Sequence, residues 1–362
     1  MVKLENRYTR MCRFDQNINE IYCECDFRIN IYRCDNKFFA KASWVTLTLT
    51  SLNVIMGIAI LYYLIKVKKQ PLFLPSTRER GIIRPRPVHS FQLIALLYNA
   101  ALLFNVICLI TESYPYVIYA ELGHFLPLAI CVSLAIFCPI SLIYSTPNIG
   151  SDPEGSSVVT NKTFIDVIGF IFMIHPYLFA VPTALLSGYY ADRDDIKTAI
   201  IYFKIHFLSW TIFSIIYILL VVYFYCRLIN VINCQIENQL ENQRRVREVN
   251  SNNVVSGYDI NTLKRAKRNV SIINVPLITF LVISIFNIII TLTFALFYKE
   301  KVVYVKGLNV LYYSFWNIFT PIIGLLNGIM VFYKKLTAQP KFQENQIKRF
   351  GMDNSFDTSI QL

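Results

Sequence analysis

Long apolar blocks separated by shorter polar stretches fill most of this chain, at residues 42–67, 90–111, 116–144, 164–188, 196–228, 270–297 and 303–332. Each has the roughly 20 residues that a helix needs to cross a hydrocarbon core of ~30 Å. The pattern predicts an all-α membrane protein, a seven-transmembrane helix bundle over residues 42–335. Residues 1–41 make a polar tail ahead of it, residues 229–269 a long loop within it, and residues 336–362 a polar tail behind it. The fifth block is long enough to tilt or to project beyond the bilayer. The Glu-, Gln- and Arg-rich run that follows favours continuing that helix.

The last block carries the most detail. Pro321 lies in its interior, where it removes one helical hydrogen bond and clashes with the carbonyl of Asn317, so a kink is expected. In lipid the freed carbonyl must be satisfied by neighbouring groups, and Asn317 and Thr320 are the local side chains that could serve. One turn on, Gly324 and Gly328 form Gly-x-x-x-Gly, which lets another helix approach closely. Asn327 between them needs a polar partner in a medium without water. A moving part and a plain packing seam both fit these residues.

Composition agrees with a lipid environment: 55% of residues are hydrophobic and 16% charged, against roughly 25% charged in soluble domains. The net charge of +12 is unevenly placed. Lys66, Lys68, Lys69, Arg78, Arg80, Arg84 and Arg86 follow the first block, and Arg244, Arg245, Arg247, Lys264, Arg265, Lys267 and Arg268 follow the fifth. Lys334, Lys335, Lys341, Lys348 and Arg349 stand at the carboxyl end, while the alternate loops carry few bases. Positive charge stays cytoplasmic, so the amino terminus is expected outside and the carboxyl terminus inside. That describes a multi-pass protein of the plasma membrane, with its basic face toward anionic lipid. The sequons Asn161-Lys-Thr163 and Asn269-Val-Ser271 fall on the inner side in this orientation. No nucleic-acid-binding motif accompanies the charge, so nucleic acid is not an expected partner.

The amino tail has no apolar core of the kind a cleavable signal peptide needs. It holds Cys12, Cys23, Cys25 and Cys34. In an oxidising compartment these allow two disulfides in three pairings. A zinc site and four plain thiols are the alternatives, although Cys-x-Cys is tighter than the usual structural-zinc spacing.

Ionisable residues inside spans are costly and often functional. Glu121 and His124 are three apart and share a helix face. Lys204 and His206 stand near the outer end of the fifth block, and His175 near the middle of the fourth. Adjacent third and fifth spans would set Glu121 against Lys204, with the histidines beneath and Tyr312 nearby, a polar cavity for a small ligand. The other reading is that Glu121 and Lys204 sit at the interface and snorkel. No catalytic set is found. The four histidines are scattered singly, with no His-Glu-x-x-His run, no Gly-x-Ser-x-Gly elbow and no phosphate-binding glycine loop. An enzyme, a cofactor and a bound metal are therefore not expected.

The spans, the basic third inner loop and the proline in the last span together resemble the seven-helix G-protein-coupled receptors. Within the last span, Pro321-x-x-Gly324-x-x-Asn327 looks like the seventh-helix pattern of cyclic-AMP-receptor-like and fungal nutrient-sensing receptors. The chain has no Asp-Arg-Tyr at the end of its third span, which reads Ser141-Leu-Ile-Tyr144. The resemblance implies a receptor that passes an external small-ligand signal to a heterotrimeric G protein or another cytosolic effector. It implies movement of the sixth and seventh helices about Pro276 and Pro321, read out at Arg244–Arg247 and Lys264–Arg268. A ligand-free membrane scaffold and a small-solute transporter are the alternatives.

Overall fold

The computed structural model describes residues 8–15, 20–32, 37–72, 87–135, 140, 162–249, 281–282 and 284–337. It begins with an antiparallel hairpin, β1 (Arg10–Asp15) and β2 (Glu20–Cys25), in which Cys12 lies directly opposite Cys23. Helices follow: α1 (Phe38–Tyr62), α2 (Pro87–Ile110), α3 (Val117–Ala135), α4 (Lys162–His175), α5 (Val181–Asp192), α6 (Ile196–Val249), α7 (Ser284–Phe297), α8 (Lys306–Ser314) and α9 (Thr320–Thr337). Among the described residues, four helical runs, Phe38–Val67, Gln92–Ile110, Asp166–Asp192 and Ile196–Tyr223, are long and apolar enough to cross a membrane. Val117–Ser133 and Ser284–Phe297 are shorter apolar helices. A predominantly helical chain with such spans is that of an integral membrane protein.

Among the described residues, the first apolar block ends in a π turn (Tyr63–Val67), and two others are interrupted in their interior. Pro176 opens a π turn (Pro176–Ala180) between α4 and α5, and another π turn (Phe315–Phe319) joins α8 to α9 just before Pro321. A proline cannot donate the i→i−4 bond, and a wide turn absorbs the missing bond without ending the helical run. α6 departs in the other direction. Its 54 residues span about 80 Å at 1.5 Å per residue, well beyond one bilayer, so the expected extension past the fifth block is real.

The helices close into a ring. α1 packs on α2 and α9, α2 on α3, α3 on α5, and α5 on α6. The bond from Thr211 to Thr291 and the packing of Phe207 on Phe294 join α6 to α7, and Phe294 against Tyr312 joins α7 to α8. The faces are sorted as lipid requires. α1 buries Ser43, Thr46, Thr50, Asn53 and Gly57 and turns Trp44, Leu52, Ile55 and Ile58 outward. Large apolar groups lose nothing by facing acyl chains, whereas small and polar groups need protein partners. At Gly188 a Cβ would come within 2.5 Å of the Ile118 backbone, so α5 and α3 touch main chain to main chain. The Asp192 carboxylate fastens the same pair by accepting bonds from the Val117 and Ile118 amides at the start of α3 (2.8 and 3.1 Å). Those amides have no partner within their own helix.

The amino tail is not an appendage. Tyr8, Met11, Phe27, Ile29 and Ile31 belong to the same core cluster as Phe125, Phe203, Phe207, Phe294 and Tyr298 of the bundle. The described part of residues 1–41 therefore packs directly on the bundle of residues 42–335. For residues 8–32 the apolar surface that would close an independent domain is instead shared with the helices.

Candidate functional site

At the end of the bundle where the tail docks, four charged side chains from three parts of the chain meet out of contact with water. Asp26 and Arg28 come from the tail just after β2, Glu121 from the first turns of α3, and Lys299 from the π turn (Tyr298–Val302) that follows α7. Arg28 is the hub. Its Nη1 and Nη2 donate to the two Glu121 oxygens at 3.0 and 3.2 Å, while its Nε donates to Asp26 Oδ1 at 2.9 Å. Lys299 Nζ donates to Asp26 Oδ2 at 2.6 Å and to the Tyr8 carbonyl at 2.8 Å. Two cations face two anions, so the cluster is neutral as a whole, the condition under which such burial is tolerable.

Hydroxyls and rings complete it. Tyr8 Oη donates to Glu121 at 2.8 Å, and Tyr298 Oη lies 3.2 Å from Asp26 Oδ1. The Arg28 guanidinium lies over the Phe203 ring at 4.6 Å, and the Lys299 ammonium lies 3.5 Å from the centre of the Tyr8 ring. Cation–π contacts of this kind strengthen when water is excluded. Between the ion pairs, Phe27 fills a box of rings from Phe39, His124, Tyr298 and Tyr313, at centroid distances of 5.4–6.4 Å. Asn309 Nδ2 of α8 donates to the Cys25 carbonyl at 3.3 Å, holding the end of β2.

The hairpin is closed covalently. Cys12 and Cys23 form a disulfide, and Cys25 is disulfide-bonded as well. Cys34 lies outside the described residues. An isolated two-stranded hairpin is marginal in water, so this one depends on its cross-link and on its docking. Among the described residues no group of three His, Cys, Asp or Glu is placed to hold a metal.

The expected pocket residues separate. Glu121 does lie at its centre, but its partners are Arg28 and Tyr8 of the tail, where Lys204 had been expected; Lys204 is half-buried on α6. His124 packs edge-on to Phe27 and Trp316. With Tyr98, Phe125, Phe207, Trp316 and Asn317 it bounds a cavity of about 30 Å³, room for about one water. His206 is a structural tie. Its Nδ1 lies 2.8 Å from the Ala180 carbonyl in the α4–α5 π turn, and its Nε2 accepts from Trp210 Nε1 at 2.9 Å. Those two contacts put the ring proton on Nδ1 and use both nitrogens. His175 stacks between Phe179 and Phe213 in the smaller of the two core clusters, away from the ion cluster. Tyr312 is buried against Phe294.

The last helix is a seam with α1. A Cβ at Gly324 would meet Asn53 Oδ1 at 3.4 Å, and one at Gly328 would overlap Met56. Asn53 Nδ2 donates to the Pro321 carbonyl at 2.8 Å. Asn317 and Thr320 donate to the carbonyls of Tyr313 and Phe315, which corrects the expectation that they satisfy the carbonyl of Asn317. The π turn has moved the loosened carbonyls up the chain. Asn327 is half-buried. Pro276, Lys264, Arg265, Lys267 and Arg268 lie outside the described residues, and Arg244, Arg245 and Arg247 fall within the length of α6.

Asp26, Arg28 and Lys299 lie outside the spans and have shifted protonation. Burial opposes the charge on Asp26, but Arg28 and Lys299 outweigh it and hold the carboxyl well below the usual range. Burial likewise works against the Lys299 ammonium, Asp26 restores part of the loss, Arg28 opposes it, and the group sits at about 8 against an ordinary 10.5. For Asp26 the unfolded chain holds more protons at low pH, so its contribution is complete above the unfolded value and is lost as pH falls below it. For Lys299 the unfolded chain holds more protons between about 8 and 10.5, so stability from this residue rises with pH across that window. Tyr8 and Tyr298 are raised above the ordinary tyrosine value and stay protonated there, and Arg28 stays charged. Comparison of wild type with Lys299→Met in detergent should show the wild type gaining thermal midpoint relative to the variant between pH 7.5 and pH 10. A constant difference across that range would mean that Lys299 is not buried in its charged form.

Comparison with protein family models, with curated proteins and with solved structures finds no match for this chain.

Proposed function

We propose that the chain is a seven-helix membrane receptor with its amino terminus outside and its carboxyl terminus inside, passing an external signal to a cytosolic partner. The observation that carries this reading is the buried ion cluster in which Glu121, Arg28, Asp26 and Lys299 meet. It draws on α1, α3, α6, the turn after α7 and α8, and so couples five elements of the ring to the residues at its centre. A group that binds there acts on several helices at once, which a receptor needs in order to favour one arrangement over another. Three features support the orientation: the disulfide-bonded hairpin, which suits an oxidising compartment; the basic residues of 66–86 and 244–268 on the other side; and the projection of α6 beyond a bilayer. The projecting end of α6, with Arg244, Arg245 and Arg247, is the partner surface, and a heterotrimeric G protein is the partner class to test first. The sequence carries no repeated half of the kind that favours an inverted-repeat transporter.

Topology and partner capture test this together. Epitope tags at each terminus should be accessible on intact cells only at the amino end, and crosslinking should recover a G-protein α subunit or another cytosolic effector. An amino end found inside would overturn the reading.

A further inference from the structure

We infer that the bundle side chains around this cluster form a peptide site reading an acidic–aromatic–arginine sequence, and that residues Asp26, Phe27 and Arg28 are its tethered occupant. Each of the three side chains has its own receptor in the bundle. Asp26 meets Lys299 and Tyr298, Phe27 meets the rings of Phe39, His124, Tyr298 and Tyr313, and Arg28 meets Glu121 and the Phe203 face. All three residues are buried to 1% exposure or less. Emptied of the tail, the bundle would present one buried anion, Glu121, and one buried cation, Lys299, with an aromatic box between them. Neither charge is stable there alone. The pattern is the complement of a zwitterionic tripeptide side-chain set, and a bidentate carboxylate selects guanidinium over ammonium.

Main-chain contacts seat the peptide as a peptide. The Cys25 carbonyl is held by Asn309, and the Tyr8 carbonyl by Lys299. The tail folds into a turn in which the Ile29 and Asn30 amides both bond the Asp26 carbonyl, at 3.0 Å each. That turn places Asp26 and Arg28 on the same side. The occupant therefore needs a turn as well as the three side chains, and the hairpin supplies it. This inference rests on the proposed receptor reading only for the side of the membrane from which a free peptide would come. A peptide with the same three side chains, secreted or released from another copy of the chain, would compete with the tail for the site.

The test uses the full chain with a protease site inserted after Asn36, purified in lipid nanodiscs, cut and then washed. The probe is a fluorescent, oxidised synthetic peptide of residues 1–36, the same fragment that the cut releases. The cut chain should retain its own fragment until excess probe exchanges for it, and the uncut chain should take up none. Probes carrying Arg28→Ala or Asp26→Ala should bind at least about 30-fold more weakly, since removing one partner of a buried charge pair leaves the other unpaired. Equal binding of the wild-type and Arg28→Ala probes, or loss of the fragment on cutting with no uptake of probe, would overturn the inference and leave the contacts as packing. Specific uptake by a chain whose amino end proves to be intracellular would sustain the peptide site and remove the receptor reading. An outside amino end with a captured effector and no discrimination between probes would do the reverse.

Discussion

Arg28→Met should cost about 3–5 kcal/mol of stability, the typical penalty for breaking a buried ion pair from one side. The reason lies in what stays behind. Asp26 keeps Lys299, but Glu121 is left as a buried carboxylate with Tyr8 as its remaining partner from the tail. The protein relieves that charge either by protonating Glu121 or by letting the tail leave. Both outcomes lower the thermal midpoint in detergent, and the second also raises hydrogen exchange in residues 20–32. Arg28→Met combined with Glu121→Gln removes both charges at once and leaves the neutral Asp26–Lys299 pair. That double variant should recover most of the loss, because replacing a whole buried pair is often close to neutral. Losses that simply add, with no recovery in the double variant, would show that Arg28 and Glu121 are not energetically coupled.

The second large effect belongs to the hairpin. Replacing Cys12 and Cys23 together by Ser removes a cross-link between residues 11 apart in sequence, worth roughly 2–4 kcal/mol for loops of this order. The helices contribute their own packing, so the loss should be local. Amide exchange and protease cleavage should rise by about tenfold or more within residues 8–32, while exchange in α1 to α3 stays as in the wild type. Unchanged exchange in the tail would mean that docking alone holds the hairpin. A fall in protection spread evenly over all helices would mean that the tail and the ring unfold as one unit.

Much of the helical architecture was legible along the chain, because lipid imposes a simple rule on sequence. A span must be apolar and about 20 residues long, and the blocks at 42–67, 90–111, 164–188 and 196–228 obey it and form helices. The continuation of α6 past its span was legible from the helix-favouring run that follows it. The interruption of the last span was legible in part: Pro321 announced a broken hydrogen bond, but a kink and a π turn both answer that requirement. Which one forms depends on neighbours such as Asn53, whose amide reaches the Pro321 carbonyl from another helix.

Glu121 was legible as a costly charge that needs a partner, yet its partner was not. The expectation of Lys204 came from reading partners only among the spans. The tail did carry a signal, the alternation of Phe27, Ile29 and Ile31 around Arg28, a short apolar stripe in a stretch otherwise read as solvated. Without the fold that stripe has nothing to pack on. Sequence alone determined that this is a helical membrane protein with a carboxylate in its third apolar block and cysteines crowded at its amino end. Only the tertiary structure decided that Asp26 and Arg28, 93 or more positions from Glu121, return to neutralise it, because pairing of distant charges is set by where the ring leaves room and local sequence carries no record of that space.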